Sequence, residues 1–129
     1  THFTQNAFIG SLMDELANGV SAFLTDLRDE SERVQLVVMT EFGRRVYENT
    51  SYGTDHGLGS VMFVLGEGIR GGITSGWSDL EYEHLLGPGD VPVEINYRDV
   101  LAPVLRAHAP HADLSRVFPG HAFAKIAMP

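Results

Sequence analysis

No cysteine occurs in the chain. That removes disulfide frameworks and thiolate metal sites together, so any metal must be held by His and carboxylates. Basic residues are scarce: nine Lys and Arg stand against seventeen Asp and Glu, a net charge of −8. No stretch is densely basic, which argues against nucleic acid and anionic membrane, since both require clustered Lys and Arg. No apolar run approaches the length of a membrane span, so none is expected. A signal-peptide pattern is also missing near Thr1, and the chain does not open on Met. This reads as a processed protein or a piece of a longer one, and the piece is the expectation. What remains is 129 residues at 43% hydrophobic and 20% charged, composition enough for a single domain with a real core.

From Ala7 to Glu30, Ile9, Leu12, Met13, Leu16, Val20, Phe23, Leu24 and Leu27 recur at three- and four-residue steps, which predicts one amphipathic helix. Arg33 to Thr40 follows as a strand, and its unbroken Leu36-Val37-Val38-Met39 suggests burial on both faces, as in a parallel sheet. Helix then buried strand is half of a βαβ unit whose first strand would lie upstream of Thr1. Thr40 to Gly59 reads as the loop leaving that strand, the place where α/β proteins bind ligands. Ser60 to Leu65 is a second buried strand, Ile73-Thr74 a further short one, and Trp77 to Asp90 irregular. Val91 to Ile95 is at best an edge strand because of Pro92. Asn96 caps a helix over Tyr97 to His108 with Val100, Leu101, Val104 and Leu105 buried, and Pro103 should kink it or delay its start. Leu114 to Pro129 reads as a loose tail with a turn at Phe118-Pro119-Gly120.

Chemistry concentrates in the loop. Asp55-His56, set between Gly53-Thr54 and Gly57, offers a carboxylate oxygen and an imidazole nitrogen to one divalent cation, with Thr54 supporting from behind. The alternative is a turn in which Asp55 caps backbone N–H groups and His56 is merely exposed. His2, just before the helix, would sit on the same sheet edge and could complete a partial site, or be a solvated terminal residue. Glu41, Arg44, Arg45 and Asn49 follow the first strand. There an arginine could clamp phosphate or sulfate and Asn49 could donate to it. The competing arrangement is a short surface helix with Glu41–Arg45 and Arg44–Glu48 ion pairs. His84, His108, His111 and His121 read as surface residues.

Taken together, the strand running into Thr40-Glu41-Phe42-Gly43-Arg44, then Asn49, then Gly53-Thr54-Asp55-His56-Gly57, resembles a bacterial family of unknown function, DUF1501. Val64-Leu65-Gly66, Gly71-Gly72, Tyr97-Arg98-Asp99-Val100-Leu101 and Phe118-Pro119-Gly120 match its C-terminal pattern, and Thr1-His2 matches the end of its Asp-Thr-His sequence. The family is placed in the alkaline phosphatase/sulfatase superfamily. The resemblance therefore implies the C-terminal part of a three-layer α/β/α fold with a mostly parallel sheet. It implies Asp55 and His56 as ligands of a divalent metal, Zn or Mn, with His2 a further ligand and Thr54 and Gly57 behind them. Glu41, Arg44 and Asn49 would lie near a small anionic ester, phosphate or sulfate, in the full-length parent. A nucleophile would lie outside this chain, leaving the fragment inactive. Two other readings stand beside this one: a non-catalytic binding or assembly module self-associating through an incomplete sheet, and a relative of the metal-dependent phosphomutases. Members of the family are often exported, so a periplasmic parent is expected, with a cytoplasmic one as the alternative.

Overall fold

The computed structural model describes residues 1–76 and 79–126. Trp77, at the head of the expected irregular stretch, and the last three residues of the expected tail lie outside them. Two compact units divide the chain: Thr1–Ile69 with Ser78–Pro92, and Arg70–Trp77 with Val93–Pro129.

In the first unit the expected helix forms as α1, Gln5–Leu27. Its start lacks a side-chain cap. Thr4 and Gln5 instead donate their backbone N–H groups to Ser51 O and Tyr52 O at 2.9 and 2.8 Å, which ties the helix to the loop before Asp55. The helix ends at Arg28, which has a positive φ of 46°, and a 3-10 turn spans Arg28–Arg33. No residue of α1 is buried. Its apolar stripe faces an open groove of about 630 Å³ lined by Leu12, Leu16, Val20 and Phe23 with Leu36 and Val38.

The expected first strand is β1, Gln35–Val38, and the expected second is the last of four, β4, Phe63–Gly66. They pair with each other antiparallel, Leu36 opposite Leu65 and Val38 opposite Phe63. The segment read as a loop contains a hairpin: β2, Gly43–Glu48, against β3, Thr54–Gly57. Arg44 lies opposite His56 and Glu48 opposite Thr54, so β2 takes four steps where β3 takes two and carries a bulge. The fold is thus mixed helix and strand with two small antiparallel sheets. The expected parallel sheet does not form among the described residues, and β1 is half-buried rather than covered on both faces. The short surface helix weighed as the alternative for Glu41, Arg44, Arg45 and Glu48 does not form; β2 stands in its place. No strand forms at Ile73-Thr74 or Val91–Ile95, although Gly59 donates its N–H to Val91 O at 2.9 Å.

The second unit carries α2, Tyr97–His108, at its expected position, with Asn96 Oδ1 accepting from Arg98 N at 3.0 Å. The helix passes through Pro103 with no late start. Its buried residues are Asp99 and Ala102, while Val100, Leu101, Val104 and Leu105 are half-buried. A four-residue helix, α3, Leu114–Val117, opens the expected tail and is capped by Asp113. Ala102 and Leu114 are the buried apolar residues among those described.

Candidate functional site

Three pieces of backbone converge in the first unit: the terminal segment Thr1–Phe3, the turn 49–53, and β3. Thr54 N donates to Thr1 O at 3.2 Å, in line with the two bonds at the start of α1. Gly53 makes the approach possible, because a Cβ there would lie 2.3 Å from the His2 carbonyl carbon. Only glycine allows the terminal segment this close.

The result is a cluster of His2, Asp55 and His56. The Nε2 atoms of the two imidazoles face each other at 2.7 Å, with ring centroids 4.5 Å apart. The other nitrogen of His2, Nδ1, is 3.9 Å from Asp55 Oδ1. Phe42 stacks on His56 at 3.6 Å between centroids, and the Arg44 guanidinium lies over Phe42 at 5.4 Å. Loss of water from the packed ring, then the nearby His2 and Arg44 charges, lower the pKa of His56 below the usual histidine value; Glu41 and Asp55 oppose this. The shift favours the neutral imidazole, the form that ligates metal.

The remaining expected residues fall out differently. Thr54 Oγ1 donates to Gln5 Oε1 at 2.8 Å, and Thr1 Oγ1 bonds the same oxygen. Gly57 pairs with Gly43 across the hairpin. Glu41 is exposed but close enough to act on His56. Arg44 is committed across the hairpin, donating Nη1 to Thr54 O at 2.8 Å. The guanidinium beside Asp55 belongs to Arg45, 4.0 Å from Oδ2 and 3.6 Å from Asp90 Oδ1, its Nε buried with no hydrogen-bond partner. Asn49 gives both amide hydrogens to the protein, at 2.9 Å to His2 O and 2.9 Å to Asp55 Oδ1.

Do these donors suit a metal? Two imidazole nitrogens on one tetrahedral Zn, at 2.0–2.1 Å each, stand about 3.3 Å apart. The observed pair, at 2.7 Å, would open by about 0.6 Å to admit one. Asp55, expected as a ligand, has its Oδ1 3.9 Å from the opposite ring nitrogen of His2, longer than a hydrogen bond but on the side from which a carboxylate orients a ligating histidine. No set of three or more His, Asp or Glu capable of holding a metal is formed among the described residues. The chain thus fits as a contributor of two ligands and an orienting carboxylate.

Sequence reasoning missed Phe42 and Gln5, which touch this cluster or its supports, and left open which of Arg44 and Arg45 would stand at it. It also missed a pair in the second unit. His121, expected at the surface, is 10% exposed and donates Nε2–H to buried Asp99 Oδ1 at 2.8 Å, which also accepts from Ala124 N at 3.0 Å. The one available signal was the apolar company of His121, whose ring meets Phe123 edge-on at 4.8 Å.

With this arrangement goes a family. The model of a protein family of unknown function, DUF1501, matches residues 1–123, and the chain belongs to that family. No curated protein and no solved structure matches it. Among the described residues no helix is long and apolar enough to cross a membrane.

Proposed function

We propose that this chain contributes half of a divalent-metal site, Zn or Mn, to a hydrolase of small phosphate or sulfate esters built on the alkaline phosphatase/sulfatase-like three-layer fold. The observation that carries the reading is the convergence of His2 and His56, 54 residues apart in sequence, with Nε2 atoms 2.7 Å apart and Asp55 behind. His2 and His56 would hold the metal. When bound, such an ion polarises an ester oxygen and stabilises the leaving group. The chain's own part is to pack the His56 ring on Phe42 and to hold the His2 ring between Asp55 and His56. The parent polypeptide, proposed to be periplasmic or exported, would supply the nucleophile and further ligands. Arg45, already beside Asp55, is the better candidate than Arg44 for meeting an anion. Hydrolysis of aryl phosphate or aryl sulfate by the parent, lost in Asp55→Ala and in His56→Ala and absent from the isolated chain, is the expected result. Esterase activity of the isolated chain that survives Asp55→Ala would overturn the reading.

A second reading is a non-catalytic assembly module that self-associates. It is favoured by α1, whose Phe8, Leu12, Met13 and Phe23 are each at least 45% exposed, and by two-stranded sheets with unpaired edges. Sedimentation decides it: a concentration-independent monomer removes this alternative.

A further inference from the structure

Asn49 joins the two halves of the His2–Asp55–His56 cluster, and each end of its amide has a different job. The acceptor end shapes the turn, with Oδ1 accepting from Ser51 N at 2.9 Å and Gly53 N at 3.1 Å. Its main chain closes the same turn, N donating to Gly53 O at 2.8 Å and O accepting from Tyr52 N at 3.1 Å. The donor end reaches out of the turn. One Nδ2 hydrogen goes to the carbonyl of His2 and the other to Asp55 Oδ1. That Asp55 oxygen is the one 3.9 Å from His2 Nδ1.

Resting on the reading of the cluster as a metal site, we propose that Asn49 is its positioning residue. Its NH2 group sets which nitrogen of His2 faces His56. By holding the His2 backbone and turning Asp55 Oδ1 toward Nδ1, it leaves Nε2 as the atom presented to His56. An amide suits this task because it alone among side chains of this size donates two hydrogens while accepting at the other end. With both hydrogens spent, Asn49 has none to offer an oxyanion, so its contribution is to geometry and not to substrate contact.

Asn49→Asp separates the two jobs. It is the same shape and keeps an oxygen for Ser51 and Gly53, but it cannot donate, and it sets a carboxylate against the His2 carbonyl and against Asp55. Long-range nitrogen–proton NMR of the imidazoles, recorded without metal, reads the cluster directly. The expected result is that Ser51 and Gly53 amide signals stay near their wild-type positions while the ring nitrogens of His2 and His56 shift. Zinc affinity, titrated with zinc alone, falls about 10- to 100-fold, the range for losing a group that orients a ligand. Imidazole signals unchanged in Asn49→Asp overturn the proposal. A wild type that binds no zinc, with imidazoles that still respond to Asn49→Asp, ends the metal reading and leaves the positioning role standing. If the variant does not fold, the wild type alone decides. Slow solvent exchange of both Nδ2 hydrogens supports the role, and exchange as fast as that of a free side-chain amide overturns it.

Discussion

Gly53 and Asp99 show how much a single residue can hold in this chain. At Gly53 a methyl group would enter the His2 backbone, at 2.3 Å from its carbonyl carbon and 2.4 Å from its oxygen. Neither atom belongs to a flexible side chain, so the terminal segment must move. Gly53→Ala should therefore cost about 1–3 kcal/mol of stability, as overpacking does, and should remove the His2–His56 contact. Urea unfolding and imidazole NMR check both parts. Asp99 predicts a pH dependence. The hydrogen bond from His121, followed by that from Ala124 N, holds its pKa below the ordinary carboxylate value, against an opposing effect of burial. A depressed carboxylate stabilises the fold above its unfolded pKa and loses that contribution as pH falls through the lower folded one. The tail at 121–124 should thus stay docked on α2 at neutral and mildly acidic pH and release below the usual Asp range, near 3.9. Exchange of the Ala124 amide with pH reports this, and Asp99→Ala should speed that exchange roughly tenfold or more at neutral pH, by removing its acceptor.

Elements with a strong local signal were legible, and those made by pairing were not. The three- and four-residue apolar steps gave α1 to within a few residues, and Asn96 gave the start of α2, where the cap bond is present. Asn96→Ala should accordingly cost about 1 kcal/mol, measured by thermal unfolding. The β2–β3 hairpin was hidden because its strands are polar and half-exposed, with a bulge that breaks the alternation. Val46-Tyr47 and the Asn49–Gly53 turn were its only marks. The parallel sheet was inferred from Leu36-Val37-Val38, but an apolar run states burial and leaves partner and direction open. Here β4 supplies the partner, antiparallel. In the site, Asp55 and His56 were legible from the glycines around them, whereas Phe42, Gln5 and the donor half of Asn49 act through contacts across the fold, which no spacing encodes. At α1, Leu16 is 39% exposed. Leu16→Ala in the isolated chain should cost well under the about 2–5 kcal/mol of a buried leucine, which denaturant unfolding of the pair tests.

For the whole molecule, the apolar surface and the His2–Asp55–His56 cluster support the same interpretation. Among the described residues of the first unit no apolar side chain is buried, and the groove between α1 and the β1–β4 sheet stays open. The isolated chain should have a urea slope at or below the low end, about 1 kcal/mol/M, of what small proteins show. The cluster of His2, Asp55 and His56 is likewise partial: two imidazoles aimed at one place, a carboxylate behind them, and no third ligand among the described residues. Both features suit the proposal that further polypeptide covers the helix face and completes a metal site. The most direct test of this account is zinc and manganese content by elemental analysis after incubation with each metal and dialysis, in the wild type and in His2→Ala/His56→Ala. The account predicts bound metal in the wild type and none in the double variant. Equal metal in both proteins, or none in the wild type at saturating metal, would contradict it.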